Sequence, residues 1–257
     1  MKISRTSNIS AHRDSWVEVN IENVSNNVKE LKKCIPADKK FLAVVKADAY
    51  GHGAAMLAPT LLALGVDMFG VASIDEALNL RENGINAEIL VLGAVPYWAL
   101  PTAVENNITI TSFTPEHIEA CKKTYERLGK PVKTHIKLDT GMNRIGVSPK
   151  DAIEYIKKVQ SLDCMELQGI FSHLANAEIK EKTEKQLEIW ENIISQVNTD
   201  GLLLHILNTA GIITSNIYKC TYNMVRGGIG LYGLYPDLIE GAQSINLKQA
   251  MSVKTRI

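Results

Sequence analysis

Apolar and polar positions along the chain fall into two alternating patterns. Short runs rich in β-branched and large apolar residues occupy 16–21 (WVEVNI), 41–46 (FLAVVK), 68–73 (MFGVAS), 88–93 (EILVLG), 108–113 (ITITSF), 132–139 (VKTHIKLD), 167–173 (LQGIFSH), 203–209 (LLHILNT) and 222–228 (YNMVRGG). Their lengths and flanks predict strands. Between them, apolar residues recur at helical spacing over 21–34, 73–84, 114–129, 148–162 and 181–197, which predicts amphipathic helices. Ser73, Thr114-Pro115 and Ser148-Pro149 signal helix starts, and Gly84 and Gly129 signal helix ends.

Strands alternating with helices imply βαβ units and a parallel sheet. The central strands are apolar almost throughout, as strands covered on both faces must be. The last eight of the nine have the spacing of a closed barrel. WVEVNI is one too many, and its apolar–polar alternation suits a half-exposed sheet. The predicted fold is therefore α/β: an eight-stranded (β/α)8 barrel of the TIM type over 14–243. Residues 244–257 (SINLKQAMSVKTRI) again read as a strand, the first of a truncated C-terminal β domain, with which 16–21 is expected to pair.

Composition narrows the function. The chain has 257 residues, 46% of them hydrophobic, enough for one large core. Lys plus Arg and Asp plus Glu number 28 each, a net charge of zero. No basic surface for nucleic acid or membrane is implied, and the expected partner is a small molecule. Cys34, Cys121, Cys164 and Cys220 are widely spaced with no C-x-x-C, so neither a metal site nor a disulfide framework is expected. Residues 1–15 lack an apolar signal segment, and no run is long enough to span a bilayer. A cytoplasmic protein is expected.

Chemistry in an α/β barrel gathers where strands end. Lys46 ends the first barrel strand and is followed by Asp48, Tyr50, Gly51, His52 and Gly53. Burial makes a lysine amine a nucleophile toward carbonyls, which is how Schiff-base lysines arise. Lys137 and Asp139 end the fifth strand, ahead of Arg144; His173 ends the sixth; His205, Asn208 and Thr209 lie on or after the seventh; Arg226, Gly227 and Gly228 end the eighth. Singly, His173 reads as a core histidine and Arg144 as a surface cation. Arg226, inside an apolar strand, needs a partner. Glycines after the last strand let backbone N–H groups approach a phosphate, and Thr209 adds a hydroxyl. A Schiff-base lysine with a phosphate cradle points to pyridoxal phosphate.

AVVKADAYGHG, KLDTGMNRIG, FSHLANAE, HILNTAG and VRGGIGLYG occur in that order and together resemble alanine racemases, fold-type III pyridoxal-phosphate enzymes, across residues 14–257. The resemblance implies roles. Lys46 would bind pyridoxal 5'-phosphate covalently and act as the base on one face of the substrate. Tyr50, Asn208, Thr209, Gly228 and Ile229 would hold the cofactor, mostly at its phosphate. His173 would stack on the ring, and Arg226 would meet the ring nitrogen. Arg144 would bind the substrate carboxylate, with Lys137, carbamylated in some members, beside it and His205 in support. The substrate would be alanine, the product D-alanine for peptidoglycan, and the assembly a homodimer. A serine-preferring racemase and a non-catalytic single-barrel pyridoxal-phosphate protein are the alternatives. The family's second base, a tyrosine of the C-terminal domain, has no counterpart in residues 1–257. Thr209 stands where serine is usual. Gly227 stands where proline is common and is expected to loosen its turn, and Asn143 is expected to matter little.

Overall fold

The computed structural model describes residues 14–237 and 240–256. Eight parallel strands form one sheet: β2 (Lys40–Val44), β3 (Met68–Val71), β4 (Glu88–Ala94), β5 (Thr109–Ser112), β6 (Val132–Lys137), β7 (Met165–Phe171), β8 (Leu203–His205) and β9 (Met224–Gly227). Their order is β8-β7-β6-β5-β4-β3-β2-β9. The two outer strands meet without a regular ladder. Asn223 N–H donates to Leu204 O and Arg226 N–H to Leu207 O, both at 3.0 Å, so the sheet is a nearly closed TIM-type barrel.

Helices wrap the outside: α1 (Ile21–Lys33), α3 (Ala54–Ala63), α4 (Ile74–Glu82), α5 (Leu100–Glu105), α6 (Pro115–Leu128), α7 (Pro149–Gln160), α8 (Lys180–Ile194) and the short α9 (Thr209–Ile213). The element α2 (Lys46–Tyr50) is a single helical turn at the barrel mouth. Sequence signals act where they were read. Ser73 caps α4 by accepting from Glu76 N–H (3.3 Å), and α6 ends on Gly129 in the left-handed conformation (φ 65°). Helix α3 carries no helical period because it is apolar almost throughout (AAMLAPTLLA).

Successive strand residues point to opposite faces, and this builds two cores. Leu42, Val44, Met68, Leu90 and Met224 pack inside the barrel. Phe41, Ala43 and Val45 face the helices. Several strand ends fall short of the sequence reading: β3, β6 and β7 stop at Val71, Lys137 and Phe171, which places Asp139 and His173 in the loops beyond their strands. β2 stops at Val44, so Lys46 belongs to the turn beyond it. β8 stops at His205, because Asn208 caps α9 by accepting from Gly211 N–H (3.0 Å). Gly227 does not act by loosening a turn. It is the last residue of β9, and a Cβ there would lie 2.4 Å from Phe41 Cζ, so its task is clearance for that ring.

Strand β1 (Ser15–Val19) pairs antiparallel with β10 (Met251–Thr255) outside the barrel, with Val17 opposite Val253. Both valines are open to solvent. Among the described residues no helix is long and apolar enough to cross a membrane.

Candidate active site

At the C-terminal mouth of the barrel a cavity of about 560 Å³ is lined by Lys46, Tyr50, Lys137, Arg144, His173, Asn208, Thr209, Arg226, Gly228 and Ile229, among others. The structure thus brings ten of the eleven sequence-predicted site residues together. His205, the eleventh, is fully buried beneath them.

Lys46 owes its placement to α2. Ala47, Asp48, Ala49 and Tyr50 all have φ between 51° and 55°, a left-handed helical turn built without glycine. Such a turn costs roughly 1–2 kcal/mol per residue, so it needs external support. Glu76 supplies part of it: one carboxylate oxygen accepts from Ala47 N–H (2.9 Å) and the other from Ala72 N–H (2.7 Å). Asp48 Oδ1 accepts from Ala54 N–H (2.7 Å), tying the turn to α3. The outcome sets the Lys46 ammonium 5.9 Å from the Tyr50 ring centroid. Ala47→Gly is expected to stabilise the protein, because relief of about 1–2 kcal/mol of left-handed strain outweighs the ~0.4–1 kcal/mol of added unfolded-state entropy. A raised denaturant midpoint in urea checks this.

Lys46 is half-buried; the deeply buried lysine is Lys137, 3% exposed. Burial, then the Arg226 charge, lowers the Lys137 pKa to about 7. Its Nζ donates to Leu138 O at 2.6 Å. The unfolded chain keeps the ordinary lysine value of about 10.5. Below pH 7 both states hold the proton and the burial penalty is complete. From pH 7 toward 10 the unfolded chain binds more proton, so stability rises with pH. Lys137→Met is expected to remove this slope and to stabilise the protein most at and below pH 7, by on the order of a few kcal/mol. Denaturant titrations across pH in carbonate-free buffer check it.

Arg226 is 3% exposed and has no carboxylate partner among the described residues. Burial works against its charge, yet its donors are supplied with acceptors. Nη1 donates to His205 Nδ1 (2.8 Å) and His205 O (2.9 Å). Nη2 donates to Ser172 O (2.6 Å), His173 Nδ1 (3.1 Å) and Ile206 O (3.3 Å). The terminal nitrogens are fully engaged, which leaves Nε–H as the donor available to the cavity. His173 is a neutral ring: burial, then the nearby Arg226 charge, lowers its pKa to about 3. Because it accepts at Nδ1, its proton is on Nε2.

The loop after β6 aims Arg144. Asp139 Oδ1 accepts from Gly141 N–H (3.1 Å) and Asn143 N–H (2.9 Å), and Asn143 is left-handed (φ 55°). Asn143 therefore has a local task, since asparagine tolerates this conformation better than most residues. Opposite, Thr209 Oγ1 accepts from Gly228 N–H (3.1 Å) and Gly230 N–H (3.3 Å). Both lone pairs are taken, so the hydroxyl proton is free to donate.

The lining carries the cationic side chains Lys46, Arg144 and Arg226, the partly protonated Lys137, and one carboxylate, Glu178. That imbalance suits a ligand bearing several negative charges, such as a phosphate and a carboxylate. Pyridoxal phosphate with an amino acid has these groups, and Lys46 with the Thr209–Gly228 corner offers the amine and donors it needs. Several supporting residues escaped the sequence reading. Glu76 and Gln186 act through backbone groups far away in sequence; Gln186 Nε2 donates to His173 O (3.1 Å). His135 had a signal, since it precedes Lys137 by two and shares its inward face.

The chain is thus a TIM-type α/β barrel that collects a lysine at its mouth, a buried arginine and a threonine–glycine corner around one cavity. The sequence model for "Alanine racemase, N-terminal domain" matches residues 19–236, and the chain belongs to that family. It is 42% identical over 252 residues to alanine racemase 2 of Oceanobacillus iheyensis, covering 96% of this chain and 63% of that protein. Among solved structures, alanine racemase of Clostridium difficile 630 matches with a TM-score of 0.88 and 35% identity, over 94% of this chain and 64% of that one. A histidine racemase from Leuconostoc mesenteroides subsp. sake matches with a TM-score of 0.84 and 30% identity, over 96% of this chain and 66% of that one. The chain thus spans a little under two thirds of the length of these proteins.

Proposed function

We propose that this chain carries the cofactor side of an alanine racemase site, which interconverts L- and D-alanine with pyridoxal 5'-phosphate and supplies D-alanine for peptidoglycan. The observation that carries the reading is a cavity lined by Lys46, Arg144 and Arg226, with the partly protonated Lys137 beside them, against the one lining carboxylate of Glu178. The cofactor supplies a carbonyl for the amine and an electron-withdrawing ring. Lys46 would bind it covalently, and its amine would move the α-proton on one face of the substrate. Tyr50, Asn208, Thr209, Gly228 and Ile229 would hold its phosphate end, with the Thr209 hydroxyl and the Ile229 N–H as donors, since the Gly228 N–H is taken by Thr209 Oγ1. His173 and Arg226 would hold its ring, the arginine as a hydrogen-bond donor toward the ring nitrogen. Arg144 takes the substrate carboxylate in its planar fork. The Lys137 amine, about half of it unprotonated near pH 7 because of burial, is suited to carbamylation and to pairing with Arg144.

Racemisation needs a second acid on the opposite face. Tyr50 stands beside Lys46, and the Tyr232 hydroxyl donates to Val44 O (2.8 Å); neither serves that face. We assign the second acid to a tyrosine outside the barrel, contributed by a second unit or by the other subunit of a homodimer. The solvent-open Val17–Val253 pair on the β1–β10 ribbon supports a β unit that begins around residue 244 and covers it. This ribbon also weighs against a free-standing barrel.

The test has two arms. Pyridoxal phosphate followed by borohydride is expected to leave one reduced adduct, located by peptide mass at Lys46; an unmodified Lys46 defeats the cofactor assignment. The 257-residue chain alone is then expected to form little D-alanine. Robust turnover would place the second acid within it.

A further inference from the structure

We propose that His135 is a positioning residue for Arg226, acting through His205, by accepting the one proton that His205 carries. The inference rests on the cofactor reading only for what Arg226 finally meets. The hydrogen-bond chain itself is a property of the protein.

Proton placement follows from Arg226, which can donate but not accept. Its Nη1 lies 2.8 Å from His205 Nδ1, so that nitrogen must present a lone pair and the His205 proton must sit on Nε2. His205 Nε2 lies 2.9 Å from His135 Nδ1. His135 must therefore accept there, and its own proton sits on Nε2. Both rings are fully buried. Among the described residues His135 Nε2 has no partner. The chain Arg226 to His205 to His135 has one direction and ends in a buried donor with nothing to receive it. Two histidines retained only for packing would be replaceable by apolar side chains without that cost.

The backbone makes room for this ring as well as for the carbonyl of Leu203, 2.6 Å from a Cβ built at Gly169. At Gly169, opposite His135 in the β6–β7 ladder, a Cβ would lie 2.6 Å from His135 Cε1 and 2.7 Å from its Nδ1. Any side chain there would push the accepting nitrogen off His205. Beside His205, Phe171 stacks parallel at 4.8 Å between centroids and fixes the ring plane, so the ring cannot tilt to find another acceptor. With His135 removed, the His205 Nε2–H is stranded. Moving its proton to Nδ1 would relieve that and set N–H against the N–H of Arg226. The guanidinium would then shift in the cavity wall that Arg226 lines.

His135→Asn keeps an acceptor where Nδ1 stood, and His135→Leu removes it. In the apo protein, long-range nitrogen–proton spectra of the imidazoles report the His205 tautomer directly. Wild type and His135→Asn are expected to show a single Nε2-protonated His205, and His135→Leu a mixture or the other tautomer. The second readout is affinity for pyridoxal phosphate against its 1-deaza analogue, which lacks the ring nitrogen. Wild type and His135→Asn are expected to prefer pyridoxal phosphate by roughly tenfold, and His135→Leu to lose most of that preference. Mere destabilisation would weaken both cofactors equally. An unchanged His205 tautomer and unchanged cofactor ratio in His135→Leu overturn the proposal. So does a His135→Asn variant that loses both, and this variant decides alone where His135→Leu does not fold. If wild type binds neither cofactor, the cofactor reading fails, while the apo spectra still judge His135.

Discussion

Lys46→Ala is expected to abolish covalent attachment of pyridoxal phosphate while leaving the fold in place. Lys46 is half-buried and makes no hydrogen bond or ion pair among the described residues, so its removal strands no partner. The expected stability change lies within about 0.5 kcal/mol. The left-handed turn stands without the amine, because Glu76, Asp48 and the turn's own backbone bonds hold it. Phosphate binding persists too, since Thr209, Gly228 and Ile229 lie on other strand ends. The variant should therefore bind the cofactor reversibly, without the long-wavelength absorbance of a Schiff base and without a borohydride-stable adduct. Where a complete enzyme is assayed, loss of the base on one face should lower racemisation by about 10³-fold or more. Lys46→Arg separates charge from nucleophilicity: it keeps the cation and should be as devoid of adduct as alanine. A borohydride-stable adduct in Lys46→Ala would transfer the role to another amine, with Lys137 the first to examine.

The barrel was legible because its signals are local. Strand and helix periods, capping residues at 73 and 114 and the terminal glycines all act within a few positions of themselves. Helix α3 hid because a helix apolar on every side has no period to detect, and β8 was overread because Ile206 and Leu207 are as apolar as a strand yet serve as an approach to the Asn208 cap. The site residues were legible as strand-end polar groups, a pattern that topology converts into proximity. What escaped was the support: Glu76 grips amides at 47 and 72, and His135 reaches His205 across 70 residues of sequence. Such contacts depend on where the barrel closes, which no local pattern encodes. The two lysines show the same limit. Strand-end position drew attention to Lys46, but the depth that shifts a pKa belongs to Lys137, whose neighbours Arg226 and Phe171 come from other strands.

Replacement of Arg226 is expected to do two separable things. Arg226→Leu deprives the carbonyls of Ser172, His205 and Ile206 and the Nδ1 atoms of His173 and His205 of their donor. All lie in or against the barrel interior, where unmet polar groups are expensive, and a loss of about 3–5 kcal/mol is expected. A fall in urea midpoint with an unchanged slope checks it. Arg226→Glu probes chemistry. An arginine donates to a ring nitrogen and keeps its own proton, so a cofactor ring held at Arg226 would stay neutral and withdraw electrons weakly, favouring return of the α-proton to the substrate carbon. A glutamic acid can give its proton to the ring and hold the resulting charge, which strengthens withdrawal and lets the proton be delivered elsewhere. In the complete enzyme, Arg226→Glu should therefore raise transamination, read as keto acid released, relative to D-alanine formed. The ratio carries its own control, because a less stable protein lowers both products together. A ratio equal to that of wild type would mean that the Arg226 donor network is structural and leaves the ring's electronics alone.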